Sequence, residues 1–340
     1  MKKILLPLAV LALAACNKEQ AAPAIQNGQK AELTVSLVGT KATVADTENE
    51  AKINTLQVFV FNGDNIDAYG SSTSNTVTVS ASQGSRDIVA LVNAQSLATV
   101  SSKAVLLATA SSLITDNTAA SYVMVGQKTV TLAANNSIDM TVDRIAARVK
   151  ISKITRAFAA DGLKALDASK VSIIRYYLSN VVDNNNYGLD ATPSTWYSSL
   201  LNDPASILTS NAFLYDKLAT AATLAQDASY STEHILYCYP NAATEDSDGA
   251  MFTRLVIEMS IDGKFYTYPI ALGAIVNNRS YEIKELKITR LGNEGDGDDV
   301  IEGKEDEPIK AAAATFTVTV NDWEQVFITS DGQEEGVVVI

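Results

Sequence analysis

The sequence predicts a mostly β protein built as two packed β-sandwich domains with short helical insertions. Many runs of four to nine residues alternate apolar and polar side chains, the period of a half-buried strand. Irregular connections rich in Asn, Asp, Gly and Ser separate them. The chain has 340 residues and 47% of them are apolar, enough for two cores.

Taken in order, the N-terminus comes first. Lys2 and Lys3 precede an apolar stretch from Ile4 to Leu13 that is too short to span a bilayer. Ala14, Ala15 and Cys16 follow, the layout of a secretory signal peptide. Leu13, Ala14, Ala15 and Cys16 also match a bacterial lipobox, in which the cysteine is acylated and the signal is cut before it. The alternative is an ordinary signal peptide with a chance cysteine. Asn17 rather than an aspartate follows, which favours the outer membrane. Residues 1–15 are thus expected to be the signal peptide and 16–30 a lipid tether.

The N-terminal domain is expected over residues 31–143. Leu33, Val35 and Leu37 alternate with Thr34 and Ser36 as a strand, and a polar loop follows around Lys41 and Ala42. Strands are expected at 53–61, 76–79, 86–93, 129–132 and 138–142, and a helix at 97–113. The C-terminal domain is expected over 144–340. Its strands are expected at 147–151, 171–177, 252–259, 264–270 and 281–288, with Asp262 and Gly263 in a hairpin turn. A long insertion, about 190–231, is expected to carry a helix near 211–224. Phe316, Val318 and Val320 alternate with threonines, and the tail, 324–340, ends in Val337, Val338, Val339 and Ile340.

The net charge of -13 argues against nucleic acid, which needs a basic face. Cys238 is the only other cysteine, so no intrachain disulfide forms once Cys16 is acylated. No catalytic constellation is visible, and no cofactor or metal is expected. His234 and Cys238 are four apart on a strand and share a face, but a structural role is favoured for both. The acidic residues between Glu294 and Glu307 lack EF-hand spacing, so a solvated loop is favoured over a calcium site. Trp196 and Tyr197 could stack on a sugar, but local packing is favoured.

Several stretches, in order, carry a family resemblance. They are the lipobox, the strand at 53–61, residues 144–149, the run Tyr237, Cys238, Tyr239, Pro240 and Asn241, and residues 277–290. An acidic loop and residues 316–323 complete the set. The chain resembles the Bacteroidetes fimbrial-subunit (fimbrillin, FimA/Mfa-like) family. The resemblance implies two transthyretin-like Greek-key sandwiches and export as an outer-membrane lipoprotein precursor acylated at Cys16. A trypsin-like surface protease would then remove the first strand, residues 31–41, cutting between Lys41 and Ala42, with Lys30 and Lys52 as rival sites. The emptied groove would accept a C-terminal strand from another copy or a related subunit, building an adhesive cell-surface fimbria. Val337 to Ile340 are the first candidate for that strand, and Phe316, Val318 and Val320 the second. The competing reading is a lipid-anchored adhesin, fimbrial tip or glycan-binding module that does not polymerise.

Overall fold

A computed structural model describes residues 29–38, 50–197, 211–244, 251–295, 314–315 and 318–322. The first half contains β1 (Lys30–Leu37), β2 (Leu56–Asn62), β3 (Asn65–Ser72), β4 (Thr76–Ser82) and β5 (Gly84–Val92). It continues with α1 (Lys103–Ala108), β6 (Ala110–Ser112), α2 (Leu113–Asp116), β7 (Met124–Leu132), β8 (Asn135–Met140) and β9 (Asp143–Arg144). The second half opens with β10 (Ala147–Ile151), β11 (Ile154–Arg156), α3 (Asp161–Lys164), a 3-10 turn at Ala168–Lys170 and β12 (Val171–Ser179). It continues with β13 (Val181–Val182), β14 (Asn184–Asn186), β15 (Trp196–Tyr197), β16 (Tyr215–Thr223), β17 (Ser229–Tyr230), β18 (His234–Cys238) and β19 (Arg254–Ile261). It closes with β20 (Lys264–Ala271), β21 (Arg279–Ile283), β22 (Leu286–Ile288), β23 (Asn293–Gly295), β24 (Ala314–Thr315) and β25 (Val318–Asp322).

The two halves repeat one topology. A sheet ordered β3-β2-β5-β7-β9 faces a smaller one ordered β4-β1-β8. In the second half the order β16-β12-β19-β20-β23 repeats the larger sheet, and β18-β10-β21-β25 repeats and extends the smaller one. In both, the first strand runs antiparallel to one neighbour and parallel to the other. The second copy is creased. A further sheet ordered β17-β11-β22-β24 continues the same four chain segments past short breaks.

Local chemistry explains the packing. Gly70 on β3 sits so close to β4 that an added Cβ would lie 2.5 Å from Val79, so that face of the hairpin points into the sandwich. Val58 pairs with Gly70 and shares that face, which leaves Phe59 on the other. Both faces of β2 are nevertheless buried, and Leu106 of α1 and Leu113 of α2 belong to the same core. Asp262 and Gly263, both at positive φ, make the expected tight turn between β19 and β20.

Three expectations need correction. Most of residues 211–224 form strand β16, not a helix, because pairing with β12 outweighs the helix preference of their alanines. The helix expected over 97–113 is only six residues long. Ser102 caps it by accepting from the Val105 N–H, and the chain then turns into β6 to pair with β14. The strand expected over 281–288 is broken into β21 and β22 by the crease. The sequence pattern does not reveal strand β3, because this edge strand has no fully buried residue and shows no alternation. Among the described residues no helix is long and apolar enough to cross a membrane, which says nothing of β-barrels.

Candidate functional site: the slot of the first strand

Strand β1 lies between β4 and β8, in the middle of its sheet. Leu33 pairs with Val79 and Asn136, and Val35 with Val77 and Ile138. Ala31, Leu33, Val35 and Leu37 point inward and are buried, while Lys30, Glu32 and Val38 are exposed. Burying the three larger side chains is worth roughly 5–9 kcal/mol of transfer free energy. The rest of the hold is neutral hydrogen bonding. Besides the ladder, Gln83 N–H donates to the Gln29 carbonyl at 2.7 Å and Val38 N–H to the Met140 carbonyl at 2.9 Å. Thr34 and Thr78 hydroxyls meet at 3.0 Å on the outer face. β1 buries no charged side chain. Its loss would leave unpaired edges on β4 and β8 above an open apolar floor, a template for another strand.

The wall of this slot is pinned by Asp67. Its carboxylate accepts from Ser82 N–H at 2.7 Å and from Arg86 Nε at 2.8 Å. Burial pushes this carboxyl up, but the Ser82 and Arg86 bonds outweigh burial and hold it below the usual aspartate range.

The other predicted residues are distributed as follows. Cys16, Lys41, Ala42, Phe316 and Val337, Val338, Val339 and Ile340 lie outside the described residues. Lys30 is the first residue of β1, opposite Ser82, and Lys52 is exposed ahead of β2. Val318 and Val320 lie on β25, which pairs antiparallel with β21 at the sheet's edge, opposite Ile283 and Tyr281. The second candidate donor strand is therefore paired within its own chain.

Cys238 is fully buried on β18, and burial pushes its thiol up to about 12. His234 contacts Asp216 Oδ2 through Nδ1 at 2.6 Å and the Tyr230 hydroxyl through Nε2 at 3.2 Å, and it stacks on Tyr176 at 4.0 Å. Four residue steps along β18 place it about 13 Å from Cys238, so the two do not form a nucleophile–base pair. Tyr197 is buried and Trp196 half-buried in β15 against β13, which matches the packing reading. The acidic stretch lies largely outside the described residues. Glu294 bonds Lys264 at 2.8 Å, and among the described residues no carboxylate, histidine or cysteine group is arranged to hold a metal ion.

Residues 31–173 match the family model of the major fimbrial subunit protein, FimA. The fimbrial resemblance read from the sequence thus holds. The fold is similar to that of a fimbrilin (FimA) from Porphyromonas gingivalis, with TM-score 0.62 and 14% identity over 88% of this chain and 99% of that one. A candidate cell adhesion protein from Bacteroides eggerthii gives 0.64 and 20% over 88% and 98%. The tip fimbrial protein Mfa3 from Porphyromonas gingivalis gives 0.52 and 12% over 87% and 100%. Comparison with curated proteins gives no match. At such identities the structural likenesses establish the fold. The family match supports a structural or adhesive role in a cell-surface fimbria, among other fimbrial subunits, and points away from an enzyme.

Sequence reasoning found the inward residues of β1 but missed what closes the slot's wall. Asp67 lies on β3, the strand that sequence pattern does not reveal.

Proposed function

We propose that the protein is a polymerising subunit of a surface fimbria, assembled by exchange of β1 for a strand of the next subunit. The observation that carries this reading is β1 itself. It is a central strand, held by apolar burial and neutral hydrogen bonds, and it precedes every other described strand in the chain. In this reading the precursor has two domains, 31–143 and 144–340, and is exported and held at the outer membrane by acyl chains on Cys16. A trypsin-like protease cuts between Lys41 and Ala42, beyond Leu37, and frees the slot. A cut at Lys30 would leave Leu33, Val35 and Leu37 in place, which supports the later site. Refilling proceeds head to tail and grows a filament. The donor is the tail at 337–340 or, second, the strand around 316–320, whose Phe316, Thr317, Val318, Thr319 and Val320 repeat the alternation of Leu33 to Leu37.

N-terminal sequencing of fibres and gel analysis without boiling test this. Subunits should begin at Ala42 and run as ladders. Deleting residues 336–340 should shorten the ladders. Subunits that begin at Cys16 and remain monomeric would sink the proposal in favour of the anchored adhesin.

A further inference from the structure

Just before β2 a short stretch of chain touches both halves of the molecule. On one side Asn93, at positive φ at the end of β5, grips it. Asn93 Oδ1 accepts from the N–H groups of Asn54 and Thr55 at 2.8 and 3.2 Å, and Nδ2 donates to the Lys52 carbonyl at 2.8 Å. Asn54 also donates to the Ala120 carbonyl at 2.7 Å. On the other side Glu50, 1% exposed, reaches the second half. Its carboxylate accepts from Arg148 Nη1 at 2.7 Å and from the Tyr237 hydroxyl at 2.6 Å, and its carbonyl accepts from Arg144 Nε at 3.1 Å. Arg148 on β10 lies opposite Tyr237 on β18 and Ser280 on β21, and donates to the Ser280 hydroxyl at 3.1 Å. The carboxylate therefore bridges two adjacent strands, β10 and β18, and Arg148 ties it to a third, β21. Tyr122, Phe213 and Tyr237 pack beside it with ring centres 5.0 to 5.7 Å apart.

We propose that residues 50–55 are a strap that locks the two halves together, with Glu50 as its pin, and that this strap must stay on the processed chain. Arg148 is as buried as Glu50. Removing the carboxylate leaves the arginine's charge in a dry interface, which costs far more than an exposed pair would. The strap begins on the C-terminal side of Lys41 and Ala42. A cut there spares it, whereas a cut after Lys52 separates the pin from Asn54 and Thr55 and leaves it only the Lys52 bond to Asn93. This boundary deepens the proposed processing and rests on it. The lock itself does not.

The test uses the full chain with Cys16→Ala, to avoid lipid. Thermal unfolding and hydrogen exchange are measured for Glu50→Ala, and for Glu50→Gln in case the alanine chain does not fold. Glu50→Ala should lower the midpoint by about 10 °C and speed exchange at 118–123 and 144–150 by tenfold or more, with β1 and β4 unchanged. Glu50→Gln should shift both in the same direction by less. A variant carrying Glu50→Leu with Arg148→Met should recover at least half of the lost midpoint, since no charge is then stranded. Unchanged midpoints and exchange in the single variants overturn the lock. A specific protease site is then placed in the full chain after residue 41 or after residue 52. Cutting the second alone should reproduce the Glu50→Ala exchange, and equal behaviour of the two overturns the boundary. Fibre subunits that begin at Ile53 also overturn the boundary. Subunits that begin at Cys16 overturn the processing reading and leave the lock standing.

Discussion

Strands β1 and β10 hold the same place in the two halves, yet they are bound to the molecule by different means. Each lies between an antiparallel and a parallel neighbour. β10 is wired in. Arg148 is tied to Glu50 and Ser280, and Lys150 reaches Glu233 at 2.6 Å. Two residues after it ends, the chain continues as β11 in the creased sheet. β1 presents apolar side chains to the core, exposes its charges, and is separated from β2 by eighteen residues of chain. Apolar burial is non-directional and any strand of matching alternation can supply it, whereas a buried ion pair demands its own partner. β1 is thus held by apolar area and neutral hydrogen bonds, which a strand of the same alternation can supply, and β10 is held by a specific ion pair as well.

The largest expected contrast comes from placing a carboxylate at equivalent inward positions. Val149→Asp should prevent the second half from folding, because an unpaired charge would sit in a core that cannot shed the strand. Val35→Asp should expel β1 instead. Hydrogen exchange should then show β4 and β8 losing protection while β19 and β20 keep theirs. Equal collapse in both variants would break the distinction between the strands.

A thiol reporter sharpens the same contrast. Cys238 pairs with Ala147 on β10, and burial raises its thiol to about 12. At pH 8 only about one thiol in ten thousand is ionised, so alkylation should require unfolding. Val35→Asp should leave Cys238 unreactive, because the second half stays closed. Rapid labelling of that variant would show that losing β1 opens the whole molecule.

The smallest effect concerns the slot's wall. Asp67 is held below its ordinary value near 3.8, so its stabilising contribution is present above that value and is lost as pH falls through the lower, folded value. Asp67→Asn should cost about 1 kcal/mol at neutral pH, discounted because the carboxyl is partly solvated. The deficit relative to the parent chain should shrink on acidification. A deficit that stays constant down to about pH 2 would remove Asp67 from that role.

Alternation of apolar and polar side chains was enough to show the class of fold and which side chains of β1 enter the core, because a strand's two faces are read directly from period two. Leu33, Val35 and Leu37 are buried as that pattern requires. The same pattern was silent about β3, and alanine content misled at β16, because edge strands take their conformation from a neighbour that is remote in sequence.

Residues 144–149 and 237–241 are among the ordered stretches that carry the resemblance to fimbrial subunits, but the resemblance assigned those residues no task. Only the tertiary structure gave them one. Arg144, Arg148 and Tyr237 close on Glu50, and Tyr239 meets Ser111 and Asn117 at 3.0 Å across the two halves. These partners lie some ninety to nearly two hundred residues apart, so no local pattern encodes them. A charge is tolerated in a core only where the fold brings its counterpart to hydrogen-bonding distance, and that meeting is a property of the assembled sheets.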